Sequence, residues 1–302
     1  MDGLMEALIW LTLAVLALSA PYWYPRLTLK RALSRPLPAS ALAILQRNVP
    51  IYGRMAAPLQ QQLQRLILQF LHQKKFIGCA GLEVSEEMRV TIAAQACLLL
   101  LNRPSKVYAA LHSILLYPGA FIANRPEVGP GGVITDARQQ MLGESWKDGR
   151  VVLSWDDVLH SAYGWSEGHN VVLHEFAHQL DSESGANNGA PYLGSQDSYR
   201  SWSQVLSRDF DALRRDAYCG RHDSVLDHYG ATSPAEFFAV ATETFFGKPW
   251  QLAERHAELF GELQKYYRVD PREWLPAPPP PEPEPVMLAM PMPSRSYAWA
   301  NW

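Results

Sequence analysis

One run of five residues constrains this chain more than any other: His174-Glu175-Phe176-Ala177-His178, set within Asn170-Val-Val-Leu-His-Glu-Phe-Ala-His-Gln-Leu-Asp181. Leu173, Phe176, Ala177 and Leu180 recur at helical spacing, which gives the segment an apolar face to pack on a core. On a helix, residues i and i+4 share a side, so the imidazoles of His174 and His178 project together. Two imidazole nitrogens placed in this way reach one zinc ion at about 2.0–2.1 Å each. The segment is therefore expected to be a helix docked on a larger body, with a cation held at one side.

Glu175 is the next residue round the helix. It can flank the metal without binding it and hydrogen-bond a metal-bound water, the H-E-x-x-H arrangement of zinc peptidases. Zinc in such a site needs a third protein ligand and an open position. The long form of the motif, with a third histidine six residues on, is excluded, because Ser184 stands there and Asp181 occupies the glycine position. Asp181, three residues past His178, is a candidate ligand or an acceptor for an imidazole N–H. A second segment, His228-Tyr-Gly-Ala-Thr-Ser-Pro-Ala-Glu-Phe-Phe-Ala-Val-Ala-Thr-Glu-Thr-Phe-Phe-Gly247, reads as a helix. Ser233 is its N-cap, Pro234 its first turn and Gly247 its end. Glu236 and Glu243, two turns apart, share a face crowded by phenylalanines, so both need partners. Ser233-x-x-Glu236 is also a capping box, which would account for Glu236 without a metal. From spacing alone, Glu236, Glu243 and Asp181 all stand as third-ligand candidates.

The surroundings of these motifs read as an α+β body. Residues 59–71 carry a helical apolar stripe, and 91–101 form a second, almost wholly apolar helix that must be buried. Ser113–Tyr117 and Arg150–Trp155 read as strands, and Gly129–Gly132 as a loop. No regular βαβ alternation is visible. Val151–Ser154 is read as a sheet edge on which an extended peptide could pair, and Ala190–Leu193 either as part of a specificity pocket or as a plain loop.

The ends differ from the body. Residues 7–25 carry no charge, and as a helix they would span about 28 Å, close to a bilayer core. Trp10 at one end, Trp23 and Tyr24 at the other, and Arg26, Lys30, Arg31 and Arg35 beyond give the pattern of an anchor with its body in the cytoplasm. A cleaved signal lacks the usual basic start, and Pro21 could shorten the span into an amphipathic or core helix. At the other end, ten of the 23 prolines fall between Pro271 and Pro293, so 276–285 reads as polyproline II. The expected organisation is an anchor with a basic flank over 1–36, a folded body over 37–270 and a disordered tail over 271–302. With 27 basic and 30 acidic side chains the charge gives no support to a nucleic-acid surface. Three scattered cysteines exclude a disulfide framework.

The pairing of HEFAHQLD with the downstream YGATSPAEFF resembles the Mlc titration factor A family of bacterial zinc peptidases, similar in fold to the catalytic domain of anthrax lethal factor, a zincin. The segments Phe70–Lys75, Gly81–Glu83, Leu116–Pro118 and Val152–Trp155 carry the likeness further, over about residues 40–270. The resemblance implies a zincin-like domain with a helical N-terminal part. It also implies zinc on His174, His178 and Glu236, with Glu243 supporting a ligand from behind. Glu175 becomes the general base, and Tyr229, seven residues before Glu236, a catalytic tyrosine. A peptide or protein is the implied substrate. The family is also known for sequestering a transcriptional repressor of sugar uptake, which implies a binding regulator as the alternative. The apolar N-terminus implies an inner-membrane anchor for a cytoplasmic domain, with a soluble cytoplasmic protein as the alternative.

Overall fold

The computed structural model describes residues 2–279 except 105, 120, 129–133, 142, 147–148 and 222, and the backbone alone within 121–146. The expected loop at Gly129–Gly132 and the tail from residue 280 lie outside the described residues.

Helices dominate. They are α1 (Asp2–Leu33), α2 (Ala39–Asn48), α3 (Ala57–Gln73), α4 (Glu86–Leu98), α5 (Trp155–Tyr163), α6 (Val171–Ser182), α7 (Gln196–Tyr218), α8 (Pro234–Gly247), α9 (Pro249–Arg255) and α10 (Ala257–Tyr267). Strands β1 (Lys75–Gly78), β2 (Ser113–Tyr117), β5 (Gly143–Trp146) and β6 (Arg150–Ser154) form one sheet in the order β1-β2-β6-β5. The first three are parallel, and β5 runs antiparallel to β6. A separate antiparallel pair joins β3 (Phe121–Val128) to β4 (Ile134–Met141).

The fold differs from expectation at several points. β1–α4–β2 is a βαβ crossover where no such alternation was expected, because β1 has only four residues and no apolar alternation. The helix expected over 91–101 starts at Glu86 and ends at Leu98, since the Ser85 hydroxyl accepts the Met88 N–H and caps it earlier. Trp155 belongs to α5 rather than to the strand, because Ser154 caps that helix. Val151–Ser154 is not a sheet edge, since β6 lies between β2 and β5, and β5 is the outer strand. The packed body also runs past residue 270. Trp274 is buried, and the Trp250 Nε1–H donates to the Leu275 carbonyl, so an apolar anchor fixes the first residues assigned to the tail.

α4 is buried along nearly its whole length and forms the centre of the core. Phe70 of α3, Tyr108 and Phe176 of α6 meet with ring centroids 4.8–6.3 Å apart. This edge-to-face cluster ties the motif helix to the first half of the chain. Truncating a buried phenylalanine such as Phe176 costs about 3–5 kcal/mol. Behind α8, Phe245 and Phe246 pack on Tyr267, and Phe246 on Trp274. Gly247 is needed at the end of α8, because a Cβ there would come within 2.9 Å of the Gly168 Cα and the Trp165 carbonyl.

α1 continues through Pro21 and Pro25 as one helix. Among the described residues it is the one helix long and apolar enough to cross a bilayer, and none of its apolar window is buried on the body. Its apolar window is thus not packed into the body. Only its last turns dock: α1 packs on α3, where the Thr28 hydroxyl lies 3.3 Å from His72 Nε2.

Candidate metal centre

Two helix starts build the site. Asn170 caps α6 by accepting the Leu173 N–H at 2.9 Å, and Ser233 caps α8 by accepting the Glu236 N–H at 3.2 Å. The two helices pack directly against each other. Their contact brings His174 and His178 of α6 to Glu236 of α8. Glu236 Oε2 lies 2.9 Å from His174 Nε2 and 3.4 Å from His178 Nε2. The rings of the two histidines are 4.9 Å apart and nearly perpendicular.

These three residues offer donor atoms that all lie within 4.8 Å of one another. Ligands at about 2.05 Å around a tetrahedral ion sit about 3.3 Å apart, close to the spacing found here. Two nitrogens and one carboxylate oxygen, with a fourth side open, suit a zinc-like cation. The electrostatics agree. Burial opposes charge on His174, but Glu243 and Glu236 outweigh it and hold the imidazole well above its usual range. Burial would likewise raise Glu236, yet hydrogen bonds from His174 and His178 pull its carboxyl far below the ordinary carboxylate range. The carboxylates thus favour positive charge at the histidines.

Glu243 stands behind His174. It accepts the His174 Nδ1–H at 2.7 Å through one oxygen and the Asn170 N–H at 2.5 Å through the other. The carboxylate therefore fixes the imidazole so that Nε2 faces the cluster, and it ties that ring to the start of α6. Asp181 reaches the loop after α6. Its Oδ2 accepts the Gly189 N–H at 2.7 Å, and no hydrogen bond joins it to His178. It lies outside the donor cluster and anchors the loop after α6 instead; burial raises its carboxyl pKa despite that bond. Gly189 has φ +78°, and a Cβ on it would lie 2.3 Å from the Pro234 carbonyl, so this loop presses on the start of the helix that carries Glu236.

Glu175 is buried on the same helix as the two histidines. Tyr229 lies in a short 3₁₀ turn, His228–Ala231, with its ring 5.9 Å from the His174 ring and 53% exposed, so it stands at the mouth of the site. Two neighbours of Tyr229 were not singled out in the sequence. Asp227 Oδ1 accepts the Tyr229 N–H at 2.7 Å, and Asp227 Oδ2 lies 3.3 Å from His169 Nε2. This clasp ties the tyrosine turn to the loop before α6. The Asp-x-Tyr spacing carried an Asx-turn signal, but nothing in the sequence pointed to His169. The outer strand β5 packs along α6. Ala190 lines one cavity of about 310 Å³, whereas Tyr192 and Leu193 line another of about 460 Å³, so the four-residue stretch does not form one pocket.

A two-histidine helix facing a glutamate from the next helix, with a buried carboxylate beside it, is the site plan of a metallopeptidase. The profile of the glucose-regulated metallo-peptidase M90 family matches residues 24–268, and this chain belongs to that family. An uncharacterised protein of Synechocystis sp. is 40% identical over 243 residues, 80% of this chain and 88% of its own length. Proteins named Mlc titration factor A from Yersinia pestis and Yersinia pseudotuberculosis are each 32% identical over 226 residues, 74% of this chain and 83% of theirs.

Proposed function

We propose that this protein is a zinc-dependent peptidase with a zincin-like site. Its metal is held by His174, His178 and Glu236, and Glu243 orients His174. The observation that carries the reading is the convergence of three donor atoms within 4.8 Å, with a carboxylate locked behind one of them. Zinc bound there supplies a Lewis acid and brings the pKa of a coordinated water to about 7.

The remaining steps fall to the chain. Glu175 takes the proton from the attacking water and passes it to the leaving amine. The Tyr229 hydroxyl, at the open mouth, donates to the substrate carbonyl oxygen as it gains charge. An extended substrate pairs along β5, the outer strand beside α6, and main-chain bonding there reads backbone shape more than side chains. The chain is organised as a membrane anchor and basic flank over 1–36, a catalytic body from residue 37 through Leu275, and a proline-rich tail. The charge pattern around α1 favours a cytoplasmic body held at the inner membrane.

Glu175→Gln tests the chemistry. It is expected to bind zinc like the parent and to lose peptide hydrolysis, measured by metal analysis and peptide-library cleavage. A variant that cleaves as fast as the parent defeats the mechanism. The name of the Yersinia relatives favours a second reading, a regulator that binds a transcriptional repressor. Repressor capture by Glu175→Gln without cleavage would support that role beside the enzymatic one.

A further inference from the structure

The foot of α1 meets the body beside an apolar groove of about 300 Å³. Leu37, Pro38 and Ala41 line one side, and Leu68 and Leu71 of α3, Val84 and Val90 the other, with Glu86 and Arg89 as its charged members. Leu71 immediately precedes His72, the residue that Thr28 of α1 touches. Groove and helix foot therefore share helix α3.

Helix geometry sets the depth of this surface. From Pro25, the end of the uncharged stretch, to Thr28 the helix climbs about 4.5 Å. The headgroup layer on each side of a bilayer is about 5–7 Å thick. If α1 spans, the Thr28–His72 contact lies inside that layer. The body is then pressed against the membrane, with no flexible linker between them. Arg26, Lys30, Arg31, Arg35 and Arg89 are all exposed around this foot. Glu86, which lines the groove, accepts from the Ser40 hydroxyl at 2.9 Å, and Glu87 pairs with Arg47 at 2.7 Å; the Arg89 guanidinium lies 5.5 Å over the Phe76 ring, and the basic collar of α1 outnumbers the one groove carboxylate.

From this we infer that the groove between α2, α3 and α4 is a binding site for an anionic phospholipid of the bilayer. The acyl chain lies among Leu37, Leu68 and Leu71, and the phosphate lies against Arg89, with the basic collar of α1 supplying the wider positive field. The inference rests on reading α1 as a membrane helix. The site holds the body in one orientation, so that the peptidase centre works at a fixed height above the membrane.

The test uses the full chain in nanodiscs of phosphatidylcholine, with and without phosphatidylglycerol, each lipid in turn carrying a photoreactive acyl chain. Crosslinks are mapped by peptide mass spectrometry. Crosslinks on 37–41, 68–71 or 84–90 as well as on α1, enriched in phosphatidylglycerol by about fivefold per rim charge, support the site. Leu68→Glu is expected to abolish the groove crosslinks and keep those on α1. Arg89→Glu, an exposed change that leaves the fold intact, is expected to lower the phosphatidylglycerol preference about fivefold. Crosslinks confined to 7–25 overturn the groove site and leave the membrane helix standing. A chain that enters no nanodisc and crosslinks nowhere overturns both.

Discussion

Glu243→Ala removes the carboxylate that joins the motif helix to its own first ligand. In the parent its two oxygens accept from His174 Nδ1 at 2.7 Å and from the Asn170 N–H at 2.5 Å, and its side chain is 7% exposed. Each charge-assisted bond of this kind contributes about 1.5–3 kcal/mol, and the variant leaves a buried N–H without an acceptor. The expected loss of stability is about 3 kcal/mol, read from chemical denaturation of the metal-free protein. Without its acceptor the His174 ring is free to rotate or change tautomer. Zinc affinity, measured by competition with a chelator, is therefore expected to fall about 10–100-fold. Glu243→Gln keeps the volume but offers a single acceptor oxygen for two donors, so it should lie between the parent and Glu243→Ala in both measurements. If Glu243→Ala loses stability yet binds zinc within about threefold of the parent, Glu243 only holds the helices together and the argument for an oriented ligand fails.

Three further outcomes are expected. Asp227→Ala breaks the clasp that holds Tyr229; because Asp227 and His169 are exposed, stability should change by less than about 1 kcal/mol, while hydrolysis drops at unchanged zinc content. Asp227→Asn, which keeps an acceptor for the Tyr229 N–H, should restore most of the rate. Gly189→Ala forces a side chain onto a φ of +78° and against the Pro234 carbonyl, so the melting curve should show a loss of about 1–3 kcal/mol or more, with weaker metal binding as Pro234 shifts. Lys74 is buried and donates to the carbonyls of Tyr108 and Leu111, and burial lowers its pKa from 10.5 to about 8. The unfolded chain then holds the extra proton between these two values, so stability attributable to Lys74 rises with pH across that window. Relative to Lys74→Met, the parent should gain at most about 2 kcal/mol between pH 8 and 10 in denaturant titrations, after allowing for solvent screening. A flat difference would show that the ammonium is not held out of water.

The histidine pair and the Ser233 cap were legible because each rests on local geometry. His174 and His178 share a side by helical period alone, and Ser233 caps because a short polar side chain reaches a backbone N–H three residues on; Asn170 does the same for α6, a cap the structure added. The choice among Glu236, Glu243 and Asp181 was not local. All three sit at helical spacings that allow a ligand, and only the packing of α8 on α6 gives Glu236 to the cluster and Glu243 to His174 Nδ1, while the loop after α6 folds back to give Asp181 the Gly189 N–H. Strand order was equally hidden. Val151–Ser154 has the apolar run of a strand, but whether such a strand is interior or at an edge depends on partners far away in the chain.

Composition and period alone thus determined that this chain carries an apolar N-terminal helix, a buried α4 and a helix with two imidazoles on one side. Those are properties of single segments, set by side-chain spacing and backbone preference. Tertiary structure decided which carboxylate faces the histidines, which strand is left open beside them, and that α1 ends against α3 rather than in a loose linker. Each of these depends on contacts between segments distant in sequence, whose pairing no local period records.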